Sequence, residues 1–131
     1  MPTKQQMLKT IADAYRLRNK GDVASLAKYW APDAIFTLVA SPLAMGRVPA
    51  GPADAATAVE MLIKKFALKD QKRGHTFVEG NRVAINWHLT VVNQKGQASE
   101  TELFDIWEFN RAGKVKSLKQ FADTALLKKM W

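Results

Sequence analysis

Asp105 is the residue with the clearest chemical promise in this chain. Alternation along residues 98–109 sets Leu103, Asp105, Trp107 and Phe109 on one face of a strand. A carboxyl group among such neighbours loses solvation, which disfavours its charged form and raises its pKa. A carboxylic acid kept neutral donates a hydrogen bond to an oxygen that gains charge during reaction. The bland alternative is a buried Asp bonded to backbone or to an arginine, and the residues leave both open. Asp123 is the second candidate. It precedes Thr124 and Ala125 at the start of a helical stretch, where Asp is a preferred cap for free backbone N–H groups, and capping is the preferred reading. Strand alternation also puts Leu118, Gln120 and Ala122 on one face, leaving Asp123 on the other unless a bulge intervenes.

Other chemistries find little support. His75 and His88 stand thirteen positions apart and the chain has no cysteine, so a three-ligand zinc site, a disulfide scaffold and a cysteine nucleophile are not expected. No glycine-rich phosphate loop, serine elbow or dinucleotide fingerprint occurs, and no metal or cofactor is assigned. His88 falls on the polar face of its strand and reads as exposed or as part of a dimer face. Lys64, Lys65, Lys69, Lys72 and Arg73 make a basic cluster that reads as a solvated helix end. Without an accompanying motif or interleaved aromatics the cluster argues against nucleic acid as the partner.

The elements that must position these groups follow from period and punctuation. The chain has 131 residues and a net charge of +8, with ordinary globular composition. This suits one domain over residues 1–131 and favours anionic partners. No apolar run is long enough to span a membrane and the amphipathic first twenty residues do not read as a signal peptide, so a cytoplasmic location is expected. Residues 5–20 have helical spacing, with Gly21 as the stop and Asp22 as the next cap. A short second helix is expected to carry Trp30 on its apolar side and end at Pro32. A strand follows at residues 35–39, a loop at 41–51, and a third helix from Pro52 to about Leu68. Beyond Gly74 the period becomes alternating: Phe77 and Val78, then residues 82–92, 98–109 and 114–121 read as strands, with a terminal helix at 124–131. Helices first and a strand meander afterwards predict an α+β fold, helices packed on one face of an antiparallel sheet.

The order of elements and four stretches resemble the nuclear transport factor 2-like superfamily, in its SnoaL-like and ketosteroid-isomerase-like branch. The stretches are Asn19-Lys20-Gly21-Asp22, Trp30-Ala31-Pro32-Asp33-Ala34, Phe104-Asp105-Ile106-Trp107-Glu108-Phe109 with Gly113-Lys114-Val115, and Gln120-Phe121-Ala122-Asp123-Thr124-Ala125. The resemblance implies a cone-shaped α+β barrel, N-terminal helices packed in a strongly curved antiparallel sheet, with an apolar pocket and homodimers through the outer sheet face. It implies a small-molecule domain, either a proton-transfer isomerase, cyclase or lyase on an apolar carbonyl-type ligand or a non-catalytic binding or interaction module, since one fold hosts many functions.

Residue by residue, the resemblance gives Asp105 the role of oxyanion donor and Asp123 that of an acid/base acting α to a carbonyl. The general-base aspartate of the isomerases falls at Leu38, which accepts no proton. Their oxyanion tyrosine falls at Ala14, with Tyr15 one position and ~100° of helix away. Asp105, Asp123 and Tyr15 are therefore the catalytic candidates. Arg18, Trp30, Phe36, Leu38, Trp87, Leu89, Trp107, Phe109, Leu118 and Gln120 are the expected pocket residues. The expected partner is a small apolar or mildly anionic molecule. Arg18, a turn beyond Ala14, either binds a carboxylate at the mouth or solvates the helix, the second being the preferred reading.

Overall fold

A computed structural model describes residues 1–40 and 51–131. The 41–51 loop expected from the sequence lies almost wholly outside the described residues. Helix α1, Lys4–Lys20, starts at a capping box: the Thr3 hydroxyl accepts from Gln6 N and the Gln6 amide oxygen from Thr3 N. It stops at Gly21, whose φ of 73° lies in the left-handed region that glycine adopts without strain. Met7, Ile11, Ala14, Tyr15 and Leu17 face inward. Helix α2 is a single turn, Val23–Leu26, capped by Asp22 and followed by a 3-10 turn at Ala27–Tyr29.

The chain is extended from Trp30 on. Strand β1, Trp30–Leu38, thus takes in Trp30 and Pro32, which the sequence pattern assigned to a helix and its end. Pro32 falls within the irregular stretch between the Trp30 and Ile35 pairings, where its missing N–H breaks no recorded ladder pair. Strand β2, Gly51–Asp54, pairs with β1, so Pro52 belongs to a strand, and the Asp54 carboxylate caps α3, Ala55–Lys65, by accepting from Thr57 N. That helix ends three residues earlier than its apolar pattern suggests. Phe66 to Leu68 instead open β3, Phe66–Glu79.

Only the end of β3, at Phe77 and Val78, is legible in the sequence, and the reason is physical. Its ladder with β4 is interrupted between Lys69 and Lys72 and between Arg73 and Thr76, so its alternation slips twice. Asp70 adopts φ 52° at the first interruption. At the second, a Cβ on Gly74 would lie 2.6 Å from Asn86 Oδ1, so only glycine fits without displacement. Lys69, Lys72 and Arg73 therefore stand on an edge strand rather than in a loop, where charge deters pairing with a foreign edge.

Strands β4, Arg82–Asn93, β5, Ala98–Phe109, and β6, Val115–Ala122, form the expected meander, and α4, Thr124–Met130, closes the chain. Among the described residues the sheet has the order β2-β1-β6-β5-β4-β3. It is mixed: β1 runs parallel to β6, which corrects the expectation of a purely antiparallel sheet. A parallel pair needs a long crossover, and here α3 and the whole meander supply it. The architecture is α+β, a curved sheet with its concave face turned to the helices.

Phe109 is fully buried at the far end of β5, its carbonyl accepting from Asn81 Nδ2 at 2.7 Å. Phe109→Ala is expected to lower unfolding free energy by roughly 3–5 kcal/mol in urea titration. A loss below about 1 kcal/mol would show that the position is not part of the core.

Candidate functional site

The Asp105 carboxylate has no solvent-exposed surface and holds hydrogen bonds from four side chains on four elements. Oδ2 accepts from the Tyr15 hydroxyl of α1, from Trp87 Nε1 of β4 at 3.2 Å and from Trp107 Nε1 of β5 itself at 3.3 Å. Oδ1 accepts from Gln120 Nε2 of β6 at 3.1 Å. Register explains the convergence. Asp105 pairs with Ile85 on β4 and Gln120 on β6, and Trp87 and Trp107 lie two residues along on the same inner face. Burial pushes the Asp105 pKa up to about 6, although all four hydrogen bonds pull it down. Burial, and then the Asp105 charge, drive the Tyr15 pKa well above its usual value, so the hydroxyl keeps its proton.

A cavity with about 60 Å³ of free space lies beside this network. Of the expected lining, Arg18, Trp30, Phe36 and Leu38 are on its wall. So are Leu89, Trp107, Leu118 and Gln120, together with Tyr15 and Asp123. Trp87 and Phe109 are not, which corrects the expectation for both. They share the inner face, but Trp87 is spent on Asp105 and an edge contact to Tyr15 with ring centres 5.0 Å apart, and Phe109 packs beyond the cavity's end. Asp105 does not reach the wall either: Tyr15, Trp107 and Gln120 stand between it and the space. Trp30 stacks on Trp107 with planes 5° apart at 6.4 Å. The space is well under the ~150 Å³ that accepts a benzene ring. Its occupant is thus slender, or extends through the mouth marked by half-exposed Thr101, Ala122 and Leu127.

Tyr15 reaches the site despite its one-position offset because Ala14 and Tyr15 both face the cavity, and the longer side chain spans the gap to Asp105. Gln120 Nε2 also donates to the Tyr15 oxygen at 3.2 Å. Asp123 caps α4 by accepting from Leu126 N at 3.1 Å while bordering the cavity mouth, so it holds both positions between which the sequence left a choice. Arg18 is drawn inward rather than solvating the helix: Nη1 donates to the Phe66 carbonyl at 2.8 Å and Nη2 to that of Leu62 at 3.5 Å. Burial lowers its pKa to about 10, which leaves it charged at neutral pH. His88 is exposed and sits 3.6 Å from Glu102. Phe66, Leu68, Leu62 and Val91 also line it and were missed as pocket residues, Phe66 and Leu68 because their apolar spacing continues the pattern of the preceding helix although they open β3. Among the described residues no cluster of acidic or histidine side chains could hold a metal, and no helix is long and apolar enough to cross a membrane.

The SnoaL-like domain family matches residues 11–118, and the chain belongs to it, within the nuclear transport factor 2-like superfamily. A search of curated proteins finds no match. Among solved structures, a nuclear transport factor 2-like protein of Burkholderia xenovorans LB400 is similar at 18% identity and a TM-score of 0.74, over 98% of this chain and 97% of that one. TerC, co-crystallised with polyporic acid, is similar at 14% identity and 0.76, over 95% and 97%. SalBIII, described as an epoxide hydrolase/cyclase-like enzyme in pyran ring formation in salinomycin, is similar at 17% and 0.70, over 93% and 94%. At these identities the likeness shows the fold.

The raised Asp105 pKa carries a sign. The folded state binds the proton more tightly than the unfolded chain, so this carboxyl favours folding below about pH 4, and that advantage is lost as pH rises through about 6. The stability difference between wild type and Asp105→Asn is expected to shift against wild type by roughly 2 kcal/mol between pH 4 and 7. Urea unfolding at four pH values reads it; a flat difference would mean that Asp105 is not held away from water.

Proposed function

We propose that this cavity binds a small apolar carbonyl compound, and that Tyr15 donates to the carbonyl oxygen while a proton moves at the adjacent carbon. The observation that carries the proposal is a protonated phenol on the wall of an apolar cavity, oriented from behind by a buried carboxyl. A donor aimed at an oxygen that gains charge in the transition state is worth most where water is excluded.

Asp105 is then a positioning residue, since it touches Tyr15 and not the ligand. When Asp105 takes up a proton it donates to the Tyr15 oxygen, and the phenol proton is released to point at the ligand. Asp123 is the carboxylate at the mouth that accepts the proton taken from carbon. It takes over a role that the resemblance assigns to the position of Leu38, an aliphatic wall residue here. SalBIII, an epoxide hydrolase/cyclase-like enzyme, and TerC, co-crystallised with polyporic acid, support small-molecule chemistry on this fold.

A non-catalytic ligand-binding role is the second reading, favoured by the four donors that already occupy Asp105. Hexan-2-one in D₂O separates the two by ¹H NMR. Wild type is expected to bind it and to speed exchange of its α protons, with Tyr15→Phe slowing exchange about 100-fold while binding persists. Binding without exchange would select the non-catalytic role, and no binding would overturn both.

We infer also that two copies meet through the outer sheet face, where Phe104 and Phe121 pair across strands with ring centres 6.1 Å apart yet stay part-exposed. Sedimentation should give a dimer for wild type and a monomer for Phe121→Lys; a monomeric wild type removes the interface.

A further inference from the structure

Arg18 presents an electrostatic problem that its own protein leaves unsolved. The guanidinium is half-buried on the cavity wall, one helical turn after Tyr15 on the same face of α1. Every Asp and Glu of the chain lies within the described residues, and none comes within ion-pair distance of it. A half-buried cation without a counter-ion loses part of its hydration with no charge to replace it.

The contacts it does have are to neutral dipoles. Two of the five guanidinium N–H groups go to the carbonyls of Leu62 and Phe66 at the end of α3, which fixes the plane of the group. Leu62, Phe66, Leu68, Leu89 and Val91 on the same cavity carry no side-chain acceptor, and among the described residues no guanidinium nitrogen of Arg18 is both sealed from solvent and unpaired, so the remaining donors are open to the cavity or its mouth. The fork geometry of a fixed guanidinium suits a carboxylate, which accepts two parallel hydrogen bonds.

We propose that the ligand of this cavity is a monocarboxylate, with Arg18 holding the carboxylate while Tyr15 meets the carbonyl oxygen. This rests on the reading of the cavity as a ligand site. The two protein groups stand three residues apart on one helix, about 4.5 Å along its axis. The ligand class is therefore a slender oxo acid whose carboxylate and ketone are separated by a few carbons. Asp123 at the rim opposes a second negative charge, which selects against dicarboxylates. The net charge of +8 draws such anions toward the protein from solution.

The test compares 5-oxohexanoate with its methyl ester, an uncharged compound of the same chain, by ¹H NMR or tryptophan-fluorescence titration. Wild type is expected to bind the acid at least about 10-fold more tightly than the ester, as a charge-assisted pair implies. Arg18→Gln, folded by circular dichroism, is expected to bind the ester within about threefold of wild type and to lose the preference for the acid. Arg18→Lys keeps the charge but not the fork and should fall between them. Equal binding of acid and ester by wild type overturns the assignment of Arg18 and leaves the cavity reading standing, and it needs no variant to fold. A preference that survives in Arg18→Gln overturns the assignment too. Binding of neither compound overturns the assignment and the cavity reading together.

Discussion

The rest of the site depends on how a carboxylate survives inside this protein. Isolated in an apolar core, the Asp105 charge would be prohibitive, and the group would simply neutralise. Four donors from α1, β4, β5 and β6 meet it instead, so its pKa stops at about 6. The consequence is mechanical as well as electrostatic. Each donor is a long side chain on a different element, and satisfying one carboxylate fixes the helix against three strands. The two indoles and the amide cannot turn away without leaving a buried group unpaired, which costs more than the bond itself contributes.

The same arrangement explains what the sequence could and could not reveal. Alternation over Leu103, Asp105, Trp107 and Phe109 is a local property, and it placed Asp105 inside without any knowledge of its partners. The partners are non-local: Tyr15 is ninety residues away in sequence, and nothing in a helical period tells how far a phenol reaches. The parallel pairing of β1 with β6 was hidden for the same reason, since it joins segments on either side of the whole meander. Strand β3, legible only at Phe77 and Val78, differs. Its two irregularities erase the period on which recognition rests, and its exposed lysines mimic a solvated helix end. Trp87 and Phe109 share the inner face with the lining residues, but a face is longer than a cavity, and alternation alone gives no position along it.

Asp123 shows a further reason that types and spacing undershoot. The sequence offered a cap or an acid/base, as though the two excluded each other. The cap uses the Leu126 N–H on one oxygen, and Asp123 follows directly on β6, whose last residue, Ala122, lines the cavity beside it. A structural duty thus holds the group at the place where a chemical one becomes available to it.

Charge on the two sides of Tyr15 then gives the cavity a direction. Asp105 lies behind the phenol, compensated by dipoles alone, and Arg18 lies one turn further along α1, also compensated by dipoles alone. They do not form a salt bridge, because Tyr15 and the cavity wall occupy the space between them. The two charges therefore act on the phenol in opposite senses: Asp105 holds its proton in place and Arg18 eases its loss. An occupant with a negative end at Arg18 would cancel the second influence and leave the first, so that Tyr15 holds its proton more tightly, as a weaker acid, when the cavity is full than when it is empty. Occupation thus keeps the phenol in its neutral, proton-bearing form with no moving part, because the change lies in the field and not in the fold.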